Sequence, residues 1–278
     1  MYHYTDLNGF ISIMQFKKLW LTSATSMNNH QEVHWFKNLF YAKLTEILEH
    51  QPLSGEQIEL LNSFWSAQVN PISNPHICCF SENGDLLSQW RAYADDAAGM
   101  SIGFDSSKLN LNEELAVQNI IPDNNIWLNS VIYEHDEQQR IVDELAESFV
   151  NAVKAVTEQQ DPIQAQEAQM RLSVVASQCS SYSYIFKNPA FSEEKEVRVI
   201  SLPMLDNSNK WFGCKEKPKF RSSGGTIASY FELEFAAESV NEVILGPKSK
   251  VNKADMDTFL RSNGLGHVEV RLSTASYR

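Results

Sequence analysis

Hydrophobic residues change their spacing along the chain, and these changes predict where strands and helices lie. Near the start, short runs rich in aromatic and aliphatic residues predict strands at 2–5 and 19–22, with a helix between them that begins after Asp6. Two further strands are predicted at 76–81 and 99–105, on either side of a short helix over 85–93. These strands supply the first part of a predicted sheet.

Apolar residues three and four positions apart dominate two longer stretches. The stretch 31–69 breaks at 51–55, and the stretch 136–185 breaks at Asp161-Pro162, because proline disrupts a helix interior. A strand is predicted between them at 129–133, and further strands at 196–202, 227–235, 240–245 and 267–272, with one helix over 253–262. Strands near both ends predict a single α+β domain over 1–278 with a mixed, mostly antiparallel sheet and helical insertions at 31–69 and 136–185.

The composition narrows the classes of partner. With 278 residues, 43% of them hydrophobic, the chain can bury a large core, while a net charge of −12 opposes broad binding to nucleic acid or anionic membranes. The sequence contains neither an export leader nor an apolar run of about 20 residues, so we expect a cytoplasmic protein without a membrane partner. Four cysteines without Cys-x-x-Cys spacing predict reduced thiols, and His30 and His34 lack the His-Glu-x-x-His order, so no metal is expected.

A charged run at 192–200 is the strongest candidate for a functional site. In an extended chain, Glu194, Glu196 and Arg198 project from the same face because they are two residues apart. Carboxylates there can accept hydrogen bonds from sugar hydroxyls and stabilise a developing positive charge. A solvent-facing edge strand with cross-strand ion pairs explains the same pattern without function, and both interpretations remain open.

His3 is a second candidate, since it lies in a predicted strand with its ring on the face opposite the two neighbouring tyrosines. Such an imidazole can bind a ligand hydroxyl or phosphate or act as a general acid or base, although a buried structural histidine fits equally.

The segment 88–93 brings Trp90, Arg91 and Tyr93 close together, a combination suited to stacking a base and pairing a phosphate. The structural alternative is a core Trp90 with Arg91 bound to Asp95. The sequence has no Walker loop, Gly-x-Gly-x-x-Gly motif or Gly-x-Ser-x-Gly elbow, so a bound nucleotide is not held in those ways.

A set of landmarks in fixed order resembles a bacterial family known only as domain of unknown function 2971. They are the segments 2–5, 19–22, 27–29 with Glu32, 80–82, 87–93, 191–198 and 245–247, and the terminal Ser273-x-x-x-Tyr277-Arg278. The chain departs from that pattern at Asn29, where aspartate is usual, and at Ala275-Ser276, where isoleucine-proline is common. The resemblance implies one domain and no particular activity.

The order of these elements also resembles, at the level of fold, the ADP-ribosyltransferases, which bind NAD in a cleft between sheets. The resemblance implies that Glu196 or Glu194 is catalytic, and that Arg91 or Arg198 faces the pyrophosphate. His3 would hold the adenosine-side ribose or the nicotinamide and is a further catalytic candidate. The remaining implied NAD-binding residues are Tyr4, Thr5, Ser81, Trp90 and Tyr93. The resulting hypothesis is an NAD-dependent ADP-ribosyltransferase or NAD glycohydrolase, a toxin or anti-phage effector with a protein or nucleic-acid acceptor. The alternative is a non-catalytic nucleotide-binding or protein-interaction module in stress or phage defence.

Overall fold

A computed structural model describes residues 1–26, 33–69, 75–116, 125–206 and 208–277. The predicted landmarks at 27–29 with Glu32, and Arg278, lie outside the described residues, as does His30.

Twelve strands and seven α-helices alternate irregularly along the described chain. The strands are β1 (Tyr2–Thr5), β2 (Lys18–Ser23), β3 (His76–Ser81), β4 (Met100–Phe104), β5 (Ile126–Ser130), β6 (Glu196–Ser201), β7 (Met204–Leu205), β8 (Trp211–Phe212), β9 (Lys219–Ser223), β10 (Thr226–Glu234), β11 (Val240–Leu245) and β12 (Glu269–Leu272). The helices are α1 (Leu7–Phe16), α2 (Val33–His50), α3 (Gly55–Val69), α4 (Leu87–Tyr93), α5 (His135–Glu158), α6 (Pro162–Tyr182) and α7 (Lys253–Ser262).

Ten of the strands form one sheet, which confirms the predicted α+β class. Its order is β12-β11-β4-β1-β3-β2-β10-β9, and β6 pairs with β3 and β5. The pairing is antiparallel except between β11 and β12, so strands from both ends of the chain meet in one mixed, mostly antiparallel sheet. The long helices come from the middle of the chain, as predicted.

The sheet divides at β3, and this division positions the site. β1 pairs with β3 at Tyr2↔Ser81, whereas β2 pairs with β3 at Thr22↔Ile77 and Ser23↔His76. Along the other side of β3, β6 pairs over the full length of the strand. β1 and β2 therefore separate beside the middle of β3 and leave a gap in the sheet.

The described residues form three hydrophobic clusters, and the two larger ones lie on opposite faces of the sheet. One core contains Phe36, Phe149 and Leu172, from the helices of the chain's middle, together with sheet residues such as Ile200. The other contains Phe10 from α1 and Met256 from α7. Adjacent Cys78 and Cys79 pack against different cores, as alternating strand residues must, and the four cysteines are free thiols.

Local sequence patterns located most elements. The bounds of β11 and α7 agree with the predicted 240–245 and 253–262, and the two helical insertions each contain two helices. The strand predicted at 129–133 was placed too late, because β5 pairs with β6 from Ile126 to Ser130, while Ile132 makes only an isolated bridge to Phe186. Of the helices described, none is both long and apolar enough to cross a membrane.

Candidate functional site

A cleft of about 320 Å³ opens where β1 and β2 separate, which is within the size range of small-molecule pockets. Its lining comes from β1, β2, β3, α4, β6 and β9, and from the segments that follow β2 and precede β6. Six sequence-predicted site residues with titratable or charged side chains line it together: His3, Tyr4, Tyr93, Glu194, Glu196 and Arg198. Segments nearly 200 residues apart in sequence thus meet in one concave site.

A buried cluster of four charges forms one end of the cleft. Lys187 donates to Oε2 of Glu194 at 2.6 Å and to Oε2 of Glu196 at 3.0 Å. Arg198 donates from Nε to Oε1 of Glu196 at 2.8 Å and from Nη2 to Oε2 at 2.9 Å. Lys187, Glu196 and Arg198 are 1%, 7% and 5% exposed, so their charges need partners to be tolerated. Two cations and two carboxylates make this cluster formally neutral.

The cluster keeps Glu196 ionised. Burial alone raises the pKa of a carboxyl, but Arg198 and Lys187 outweigh this effect and lower the pKa of Glu196 to about 2. Because β6 lies between β3 and β5 and is buried along its length, the alternative of a solvent-facing edge strand is wrong. The carboxylate is a fixed negative charge in a largely dry environment.

Glu194 contacts the cluster from outside β6, which the two-residue spacing in an extended chain did not predict. It ends a 3₁₀ helix, Pro189–Glu194, and Lys195 then turns through the left-handed region with φ of 43° before β6 begins. The predicted row of three side chains on one strand is therefore wrong for Glu194, although Glu196 and Arg198 do share a face. Ser81 fixes this turn, since its buried hydroxyl donates to the backbone oxygen of Glu194 at 2.7 Å.

His3 lies at the gap in the sheet, and its ring forms a hydrogen bond with the backbone of β3. Its Nδ1 is 3.0 Å from the carbonyl oxygen of Cys79, and because a carbonyl only accepts, Nδ1 carries the proton. Burial lowers the pKa of His3, and the Cys79 carbonyl offsets this only in part. In this neutral ring, Nε2 is a hydrogen-bond acceptor.

The three candidates of α4 have separate environments. Trp90 is fully buried and donates from Nε1 to Asp85 at 2.7 Å, so it belongs to the core. Arg91 is exposed and does not line the cleft. Tyr93 lines the cleft, and burial, followed by the charge of Glu194, raises the pKa of Tyr93 to about 12, so it remains a neutral phenol.

Two more candidates lie on β1. Tyr4 lines the cleft, but its hydroxyl donates to the backbone oxygen of Asn83 at 2.8 Å. Thr5 lines a neighbouring cleft beside α1.

Sequence reasoning missed three residues of the site. Lys187 is the shared partner of both glutamates, and Arg221 and Trp20 line the cleft from β9 and β2. A lysine seven residues before Glu194 carries no local sign of burial, and Arg221 lies on an edge strand that lacks hydrophobic alternation. The one general rule that could have indicated them is that buried carboxylates require cationic partners.

Together, the fold and site define an α+β protein with a ligand-sized cleft at a division of its sheet and a neutral ion cluster at one end of that cleft. Residues 89–199 match the model of a family described as a protein of unknown function, DUF2971. The matched segment extends from α4 into β6 and contains Tyr93, Lys187, Glu194, Glu196 and Arg198. This match supports the similarity to that family over those residues. Neither the curated proteins nor the solved structures contain a significant match.

Proposed function

We propose that the cleft binds NAD and that the protein is an ADP-ribosyltransferase or an NAD glycohydrolase. The observation that carries the proposal is the convergence of Glu194, Glu196 and His3 on one cleft of ligand size. Cleavage of NAD breaks the bond between C1′ of the ribose and the nicotinamide nitrogen, and the electron pair leaves with neutral nicotinamide. The ribose then carries positive charge, which nearby carboxylates stabilise.

The two carboxylates suit different parts of this reaction. Glu196 is clamped by Arg198 and Lys187, so it supplies a fixed charge and orients its neighbours. The Glu194 side chain is 14% exposed and contacts Lys187, so it is the carboxylate more open to a ribose hydroxyl. Neutral His3 is suited to accept a hydrogen bond from a second hydroxyl through Nε2. Water or an acceptor nucleophile then adds to C1′ and loses a proton.

A binding module without catalysis is the second candidate, and one observation favours it. Both oxygens of Glu196 accept hydrogen bonds from Arg198, and one also accepts from Lys187, so the cluster is adequately explained as a rigid recognition surface. The two candidates differ in whether nicotinamide is released.

The test combines NAD binding with release of nicotinamide. We expect the parent protein to bind NAD and release nicotinamide, and Glu194→Gln to lower the rate about 100-fold or more, because electrostatic stabilisation of the transition state is lost. Glu193→Gln is the matched control, since Glu193 is an exposed neighbour in the same 3₁₀ helix and does not line the cleft. Its rate should stay within about twofold of the parent, in the range of a minor surface change.

Three outcomes separate the candidates. Equal release by Glu194→Gln and the parent contradicts the role of Glu194. NAD binding without nicotinamide release from any acceptor mixture supports the binding module. If calorimetry detects no NAD binding by the folded parent protein, the NAD-cleaving enzyme is wrong, and so is a binding module whose ligand is NAD.

A further inference from the structure

Arg221 carries a buried donor that the described protein leaves unused. It lies on the edge strand β9 with its guanidinium carbon 5.5 Å from the centre of the Trp20 ring, a cation–π contact that orients the group. Its Nε is buried and has no hydrogen-bond partner among the described residues. This N–H is shielded from solvent, so an anion in the cleft would be bound by the Nη groups, which also lack a hydrogen-bond partner among the described residues.

Arg221 also lies where two clefts meet. A second cleft of about 690 Å³ runs beside α1, and it shares four lining residues with the first: His3, Trp20, Thr22 and Arg221. An elongated ligand can therefore extend from the ion cluster, past Arg221, into the second cleft. Its central part would face the guanidinium.

The charges around the second cleft favour an anion despite the net charge of the chain, which is −12. Lys18, Lys219 and Arg221 line it, against two carboxylates, those of Asp6 and Glu232. Both carboxylates are already engaged. Asp6 caps α1 through the Gly9 N–H, and Glu232 binds both lysines, each at 2.8 Å. Among the described residues of this wall, Arg221 is thus the cation without a carboxylate partner.

We propose that Arg221 binds the pyrophosphate of a dinucleotide that spans both clefts, with the scissile ribose at the ion cluster and the second nucleoside beside α1. This inference rests on the proposed function and identifies the ligand class more closely. Of the arginines expected to face the pyrophosphate, Arg198 is engaged by Glu196 and by the Tyr184 carbonyl, and Arg91 lies outside both clefts. A planar guanidinium suits two adjacent phosphates because it can donate to both at once.

The test measures binding of ADP-ribose and inorganic pyrophosphate by calorimetry, and cleavage of NAD separately. We expect Arg221→Met to weaken both probes about 10- to 100-fold, as the loss of a charged hydrogen-bond donor predicts, and Arg221→Lys to recover part of the affinity. Arg91→Met is the matched control and should bind like the parent. Thermal unfolding of each variant checks that the fold is kept.

A second pair of variants tests the span. Ser12 lines the second cleft from an exposed position of α1, so Ser12→Trp should weaken ADP-ribose and leave pyrophosphate unchanged. Gln15→Trp, at an exposed position of the same helix that does not line the cleft, should leave both unchanged.

The outcomes distinguish this inference from the proposed function. Arg221-dependent binding of both probes without NAD cleavage supports the inference and removes the catalytic proposal. NAD cleavage with a KM that Arg221→Met does not change supports the catalytic proposal and overturns the inference. If neither probe binds the folded parent, or if Arg91→Met weakens them as much as Arg221→Met does, the inference is also overturned.

Discussion

Replacing Lys187 with methionine tests the ion cluster most directly, because this one side chain holds both glutamates. Lys187 is 1% exposed, and its Nζ also lies 5.2 Å from the centre of the Phe191 ring. Methionine keeps much of the packing and removes the charge, which leaves two carboxylates facing one arginine. Loss of one partner of a buried ion pair costs about 3–5 kcal/mol. We expect about 3 kcal/mol, the lower end, since Arg198 still holds Glu196 and Glu194 can turn towards water.

Urea unfolding provides the measurement, and a double variant provides the internal check. The midpoint for Lys187→Met should fall while the slope stays constant. Adding Glu194→Gln should restore about half of the loss, because the remaining Glu196–Arg198 pair is again neutral; coupling energies of contacting residues are about 0.5–3 kcal/mol. Lys108→Met, which removes an exposed ion pair with Asp105, should leave the urea midpoint nearly unchanged. A loss below about 1 kcal/mol for Lys187→Met, or strict additivity in the double variant, would refute this account of the cluster.

Two further predictions concern acid stability and the C-terminal segment. Because the pKa of Glu196 is lowered to about 2, its contribution is present above the unfolded pKa near 4.5 and is lost as the pH falls towards 2, so the parent should lose about 3 kcal/mol over that interval relative to Glu196→Gln. Equal acid sensitivity of the two proteins, followed by fluorescence, contradicts this assignment. Asp85 accepts from Trp90, Ser273 and Thr274, so Asp85→Asn should cost about 1.5–3 kcal/mol and speed hydrogen exchange at 273–277. Asp257→Asn, in an exposed helical pair with Arg261, is the control, and unchanged protection at 273–277 would show that Asp85 does not anchor the segment.

Hydrophobic spacing predicted the elements that are determined locally. α7 begins at an asparagine cap and buries Met256 and Leu260 on one face, so its sequence alone indicates its bounds. Strand β9 was not predicted because its residues are mostly polar and show no alternation of apolar and polar positions. It is held by backbone hydrogen bonds to β10, which its own sequence does not reveal. A segment's own sequence therefore predicts its secondary structure only when the spacing of its apolar residues shows which face is buried.

The site was predictable in part for the same reason. Glu196 and Arg198 share a face because strand geometry requires it, and their two-residue spacing was visible. Glu194 joins them because the backbone of Lys195 adopts the left-handed conformation. A lysine rarely adopts this conformation, so the sequence does not predict it. The burial of Lys187 depends on carboxylates seven and nine residues later, and Arg221 depends on pairing of β9 with β10 and contact with Trp20. Those features exist only in the folded chain.

The position of the charge cluster argues for function over stability. Four hydrophobic residues of similar volume often stabilise a protein as well as a buried ion network does, since desolvation offsets much of the attraction between the charges. In this fold, apolar cores already cover both faces of the sheet, and the cluster lies at the end of the cleft that the separation of β1 and β2 opens. Fixed, paired charges bordering an accessible cavity can act on a ligand, whereas the same charges sealed in a core could not. The division of the sheet and the buried cluster are therefore best understood together, because one opens the cleft and the other places fixed charges along it.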